Sequence, residues 1–354
     1  GGLQALVDLP PLGATCLRAS TTRGSPASAP VRIERAGESL QVDSDRLRLR
    51  VDESGVLRLT DRASGYTFRR VARLEDEGDA GDTYDFSPPR TQRKVVGFAH
   101  PPRLSVVESG PLRVVIEIAG KMQLPVGLVP GRSRRAARSS LVPVTVRAAL
   151  AAGAPLLDLT LTVDNNVDDH RLRAVFRAPF PCDTARAAAP FQLLERPLRP
   201  VSPRGDWQQP PSPTQPFSDI VLLEGDKGGL AVVAAGLREY EARADRRSSE
   251  LVVTLLRSVR WLSRDDLSTR RGEAGPCWRV EGARQRARIS LRLGVVPFAG
   301  SWTGSGADRV AREHLAPPRA LAVEEPPERR GEPLVSPSDP ARGALALRDE
   351  GVQL

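Results

Sequence analysis

The chain has 354 residues, 40% of them hydrophobic and 4% aromatic, with a net charge of +9, enough to bury the core of one large β domain or two ordinary ones. No apolar run approaches the ~20 residues a membrane helix needs and no signal-peptide pattern is present, so a chain in the cytoplasm away from any membrane is expected. Cys16, Cys182 and Cys277 are odd in number and far apart, which excludes a disulfide framework or a paired-cysteine zinc site, and the positive charge is arginine scattered through strands, which argues against nucleic acid.

In chain order, residues 3–20 carry two short apolar strands around Pro10-Pro11-Leu12-Gly13, and residues 21–36 read as an exposed Ser-, Thr-, Pro- and Arg-rich loop. From Ser39 the pattern alternates strictly, with Leu47, Leu49 and Val51 on one face and Arg46, Arg48 and Arg50 on the other, which predicts a half-buried strand. Turns at Asp52–Gly55 and Asp61–Gly65 extend it into a meander.

The meander leads into Glu75–Pro89, EDEGDAGDTYDFSPP, where Glu75 to Asp85 hold six carboxylates and Pro88-Pro89 blocks a helix. The composition predicts a loop from Glu75 onward, one that needs a partner: a cation, an arginine cluster, or hydroxyls donating to its carboxylates. Asp79 and Asp82 lack the alternate spacing of a calcium loop.

Strands are then expected at Leu104–Val107, Leu112–Ile118, Leu141–Ala149 and Leu156–Val163, with a helix only near Ala307–Leu315. Such spacings predict an all-β chain folded as a large β-sandwich. The basic run at 131–140, GRSRRAARSS, reads as a solvated hairpin tip. Asn165, Asn166 and Asp168 suit a turn, and His170 at its end is expected to fix that turn by a hydrogen bond. The six prolines between 200 and 216 surround Trp207 and leave room only for a loop. Arg264, Asp265 and Asp266 are expected to pair internally, and beyond residue 317 periodicity fades.

Five stretches in order carry a resemblance: the acidic loop; Val163–Arg173, VDNNVDDHRLR; Phe191–Pro197, FQLLERP; Gly228–Glu241, GGLAVVAAGLREYE; and Leu255–Leu267, LLRSVRWLSRDDL. Together they resemble the C-terminal β domain of glycoside hydrolase family 38, the α-mannosidases and mannosylglycerate hydrolases. The sequence departs from the family pattern at Arg260, usually glycine, and at Phe298, usually histidine. The resemblance implies a galactose mutarotase-like supersandwich over residues 37–305. Residues 1–36 would be a small β segment and linker after a missing catalytic domain, and residues 306–354 a short helix and a Pro/Glu/Arg-rich end that leaves the sandwich incomplete.

It also implies a retaining α-mannosidase whose nucleophile, acid and zinc ligands lie in that N-terminal domain, so that no catalytic residue and no metal is expected in this chain. The implied partners are the catalytic domain and a mannose-containing carbohydrate. By motif position Tyr84 reaches the sugar, with Asp79, Asp82 and Arg196 as supporting candidates. The alternative is a non-catalytic carbohydrate-binding sandwich or an inactive remnant.

Overall fold

The computed structural model describes residues 29–199, 202 and 207–318, of which residues 29–317 form one compact unit. The expectations for residues 1–28, for most of 200–206 and beyond 318 lie outside the described residues. In chain order the unit comprises β1 (Arg32–Ala36), β2 (Ser39–Asp43), β3 (Leu47–Val51), β4 (Leu57–Asp61), β5 (Thr67–Gly78), β6 (Val95–Val96), β7 (Arg103–Ser109), β8 (Arg113–Pro125), β9 (Ser139–Ala151) and β10 (Leu157–Asp164). It continues through β11 (His170–Ala178), β12 (Thr184–Ala189), β13 (Gln192–Pro197), β14 (Thr214–Pro216), β15 (Ile220–Gly225), β16 (Gly228–Val233), β17 (Glu239–Ala244), β18 (Ser249–Ser258), β19 (Arg288–Ala299) and α1 (Ala307–Leu315).

The strands form two antiparallel sheets, which makes the molecule a β-sandwich as the alternation predicts. One runs β1-β2-β3-β4-β5-β11-β18-β17-β14, with β6 on β5; the other runs β13-β12-β15-β16-β19-β10-β9-β8-β7. Arg32–Ala36, expected to be loop, is instead the edge strand β1, exposed in its side chains but paired through its backbone to β2. The four strands expected between 104 and 163 and the helix at Ala307–Leu315 are present.

Period-two patterning builds the main core. Leu47, Leu49 and Val51 of β3 point inward with Leu57 and Leu59 of β4, and meet Ile116, Ile118, Val144 and Leu161 from the facing sheet. Aromatics are few, but Tyr66, Phe68 and Phe180 cluster, with ring centroids 4.8 Å apart for Tyr66 and Phe180. The unbroken apolar run of β16 has a separate reason: Leu230 and Val232 face the main core, while Ala231 and Val233 lie in a second core with Phe298, Trp302 and Ala311 under α1. A strand covered on both faces loses its alternation. Phe298 packs edge-on to Trp302 at 5.6 Å.

This assignment of faces is checked by two truncations. Leu49→Ala, at a fully buried site, is expected to lower the unfolding free energy by about 2–5 kcal/mol in a urea titration. Leu141→Ala, on the exposed face of β9, is expected to change it by less than about 0.5 kcal/mol.

Candidate functional site

The acidic stretch is not a loop at its start. Glu75, Asp76 and Glu77 are the last turns of the zigzag of β5, which runs to Gly78. The expectation of a loop from Glu75 fails because each of these carboxylates finds a fixed cation, so a strand can bury them. Alternation sends them to opposite faces.

Asp76 follows Leu74 inward and lies between Arg135 and His170, with His170 Nδ1 2.5 Å from Asp76 Oδ2. His170 Nε2 reaches Asn165 Oδ1 at 3.1 Å, the turn-fixing contact expected of it. Arg135 belongs to the run expected to be a solvated tip, yet it is buried. That expectation fails at this residue because Asp76 waits beneath it.

Glu75 and Glu77 point outward and face Arg173 and Arg171 across the β5–β11 pair. Arg171 Nη2 lies 2.7 Å from Glu77 Oε1 and its Nη1 2.9 Å from Glu239 Oε1. Arg173 Nη2 lies 2.7 Å from Glu75 Oε1 and its Nη1 2.5 Å from Glu241 Oε2. Both arginines thus reach over β18 to β17, and Thr254 of β18 donates to Glu239 at 2.7 Å. Arg243 and Lys94 complete the shell of Glu75 at 3.0 and 3.1 Å. Burial pushes the Glu75 carboxyl up, but the hydrogen bond and charge of Arg243, with Arg173 and Lys94, outweigh it and hold the group far below the ordinary range. Glu241 is lowered by the same balance of burial against Arg243 and Arg173.

The loop proper begins at Asp79, and its shape is written by two buried aspartates. Asp79 Oδ1 accepts from the Gly81 amide at 2.8 Å, and Oδ2 from Arg257 Nε at 2.8 Å. Asp82 Oδ1 accepts from the amides of Tyr84 and Asp85 at 3.0 and 2.8 Å, a side-chain-closed turn. Its Oδ2 accepts from the Arg264 amide and from Arg270 Nη2 at 2.8 and 2.7 Å. Burial raises the Asp82 carboxyl, but Arg270 and the amides of Asp85 and Arg264 lower it further. Gly81 is required by contact: a Cβ there would sit 2.0 Å from the Asp85 carbonyl oxygen.

Tyr84, at the tip of this turn, is 54% exposed. Phe86 lies against the Arg171 guanidinium, 3.5 Å from its ring centroid. Between this loop and residues 209–216 opens a cavity of about 760 Å³, with Arg171, Arg173, Glu239 and Glu241 among its lining and Tyr84 at its wall. Gln209 Nε2 donates to Asp85 Oδ1 at 2.7 Å and links the two sides.

The structure therefore brings Tyr84, Asp79 and Asp82 into one loop, but only Tyr84 of the three lines the cavity. Asp79 and Asp82 are fully buried beneath it. Arg196 does not line that cavity: on β13 it donates at 2.7 Å to the carbonyl of Pro216, itself a lining residue, and lines an adjoining depression of about 250 Å³ that shares Pro211, Ser212, Pro213 and Gln215 with it. Trp207 is exposed. Arg264 pairs with Asp266 at 2.5 Å, as expected. Arg260 takes outward room and reaches Asp169 at 3.2 Å.

Sequence reasoning missed Arg171, Arg173, Glu239, Glu241, Arg257 and Arg270. A signal was present: Glu75/Glu77, Arg171/Arg173 and Glu239/Glu241 are like-charged pairs at period two on strands that can neighbour one another. Chemically the cavity is a hydrogen-bonding surface. Its acidic groups are engaged by guanidinium groups, and among the described residues no three of His, Cys, Asp and Glu gather as metal ligands. The donor set does not fit zinc.

Two substitutions test this geometry. Gly81→Ala is expected to destabilise by about 1–3 kcal/mol and to alter the fluorescence of the displaced Tyr84 loop. Because the folded Glu75 carboxyl is depressed, its ionised form stabilises the fold above the unfolded value of about 4.3, and that contribution is lost as pH falls through the folded value. Glu75→Gln should therefore cost about 3–5 kcal/mol at neutral pH, and the difference from the parent chain should shrink as urea titrations are moved below pH ~4.

The model of the glycosyl hydrolases family 38 C-terminal domain matches residues 42–267. A putative mannosylglycerate hydrolase of Halalkalibacterium halodurans is 28% identical over 236 residues, which cover 62% of this chain and 25% of that protein. Among solved structures, an alpha-mannosidase from Enterococcus faecalis V583 superposes with a TM-score of 0.69 at 21% identity, over 78% of this chain and 31% of the other. A second Enterococcus faecalis protein of glycosyl hydrolase family 38 gives 0.68 at 20% identity, over 78% and 32%. The chain thus spans about a quarter of the curated relative and about a third of each solved chain. With the family model matched over more than half its length, the chain belongs to the C-terminal domains of glycosyl hydrolase family 38.

Proposed function

We propose that this domain is the C-terminal part of an α-mannosidase-type glycoside hydrolase, which removes terminal α-mannosides with retention of configuration once joined to its catalytic domain. The observation that carries the reading is the exposed phenol of Tyr84 at the wall of a cavity in a family 38 C-terminal domain. A phenol both donates to and accepts from a sugar hydroxyl. Asp79 and Asp82 serve in this reading as positioning residues, since they fix the turn that carries Tyr84. Arg196, tied to Pro216, would contact carbohydrate in the depression adjoining that cavity.

Retaining hydrolysis needs one carboxylate nucleophile and one carboxyl group able to give up a proton. Of the carboxylates lining the cavity, Glu241 is held ionised by Arg243 and Arg173 and is a poor proton donor, while Glu77, Glu239 and Asp85 are engaged by Arg171 and Arg270. Nucleophile, acid and zinc are therefore assigned to the catalytic domain, and this chain supplies wall and orientation. Among the described residues no helix is long and apolar enough to cross a membrane. Cys182 and Cys277 are free thiols, which suits the cytoplasm.

The second reading, a carbohydrate-binding sandwich without catalysis, draws on the same cavity. The chain alone is expected to leave an aryl α-mannoside intact with or without added zinc, and turnover would overturn the division of labour. With the catalytic domain joined, Tyr84→Phe is expected to lower kcat/KM about tenfold, the scale of one hydrogen bond to a sugar hydroxyl, with an unchanged melting temperature. An inactive joined protein that still binds mannosides would favour the second reading.

A further inference from the structure

The outer face of the first sheet holds a second charged array, and among the described residues several of its cations form no ion pair. In one row across β2, β3 and β4, Asp43 is opposite Arg48 and Arg48 opposite Thr60. That row is satisfied: Arg48 Nε donates to Asp43 Oδ1 at 2.7 Å, and Arg62 pairs with the same carboxylate at 2.5 Å. Two residues along, on the same face, the row reads Gln41, Arg50, Arg58, Arg69. Like charges directly opposite one another destabilise a sheet. Yet among the described residues Arg50, Arg58, Arg69 and Arg70 form no ion pair, and all four are exposed.

The backbone is bent to gather them. The β4–β5 register shifts between Leu57 and Arg58, and Arg70, the extra residue, has φ +63°. A bulge re-aims side chains, and the left-handed region strains a non-glycine residue. Its effect is that the consecutive Arg69 and Arg70, which a regular strand would send to opposite faces, line the same cavity of about 360 Å³ with Arg50 and Arg58. Asp52 and Val56 also line it. Asp52 Oδ1 is turned to its own turn, where it accepts from the Ser54 amide, the Ser54 hydroxyl and the Val56 amide at 3.0, 2.6 and 3.0 Å, so one carboxylate faces four guanidinium groups. Nearby, Arg73 keeps a buried Nε without a partner. Its guanidinium is pushed down by burial and then by the charge of Arg70, with Glu250 and Glu75 acting the other way.

We propose that the Arg50–Arg58–Arg69–Arg70 cavity binds a multiply charged oxyanion, a phosphate or sulfate group, at a site distinct from the Tyr84 cavity. Neighbouring strands lie about 4.8 Å apart, so three guanidinium groups in a row span roughly 10 Å, the reach of two adjacent oxyanion groups. Guanidinium forks pair with such oxygens two at a time, and the ligand would remove the repulsion that the empty row carries.

The full chain would be titrated calorimetrically at fixed ionic strength with inorganic pyrophosphate and, separately, with a sulfated disaccharide. Saturable binding of pyrophosphate assigns the site to a free oxyanion; binding of the sulfated sugar alone assigns it to an ester carried on a saccharide. Arg58→Glu, which sets a carboxylate between Arg50 and Arg69, is expected to weaken binding at least about tenfold. Without ligand it is expected to raise Tm by about 1–3 °C, through loss of repulsion. Arg69→Gln should weaken binding in the same direction and serves if Arg58→Glu folds poorly. The proposal is overturned if neither probe binds saturably, if sodium chloride reproduces the response, or if both variants bind as the parent chain does.

Discussion

The structure depends on carboxylate–guanidinium pairing across the centre of one sheet. β5, β11 and β17 would repel as strands if their outward residues were read one at a time, since each carries two like charges at period two. Across the sheet they alternate in sign, and Arg171 and Arg173 each hold one carboxylate on the neighbouring β5 and one on β17, beyond β18. Removing one member of such a buried set leaves an uncompensated charge, so the array acts as a unit even where its net contribution to stability is modest. It forms the floor on which the acidic loop rests.

The same pairing sets what the domain can do. Arginines that hold Asp82 and Glu75 ionised also take from them any role as proton donors, and Asp79 is tied to Arg257. What remains available is shape: a turn closed on the Asp82 carboxylate, a glycine that admits the Asp85 carbonyl, and a tyrosine left outside. Such a surface suits hydrogen bonding to a polar ligand rather than proton transfer.

The fold was legible where burial is one-sided. Leu47, Leu49 and Val51 alternate with arginines because one face of β3 meets the core, and solvent meets the other. The amphipathic Ala307–Leu315 segment was legible for the same reason. β5 was not: Glu-Asp-Glu-Gly has the composition of a loop, and only its distant partners, Arg135 from the β8–β9 connection and Arg171 and Arg173 from β11, make it a strand. Such pairings show in the sequence only as like-charged pairs at period two on separate segments, with nothing to say which segments meet. At the candidate site Tyr84 is singled out by its position in the motif that resembles the family's acidic loop. Arg196 could not be placed, because its neighbours are decided by how β13 packs on the segment ending at Pro216. The +9 charge likewise says little by itself, since Arg135, Arg171, Arg173 and Arg270 are buried, while Arg50, Arg58 and Arg69 share a row only after the strands align.

The central claim is that buried aspartates, held by arginines, keep the Tyr84 loop in one shape. Amide hydrogen exchange of the Gly81, Tyr84 and Asp85 backbone tests it most directly, because these N–H groups donate to the Asp79 and Asp82 carboxylates. The account predicts protection approaching that of the β11 core amides at neutral pH. Exchange of all three at the rate of an open surface loop would contradict it.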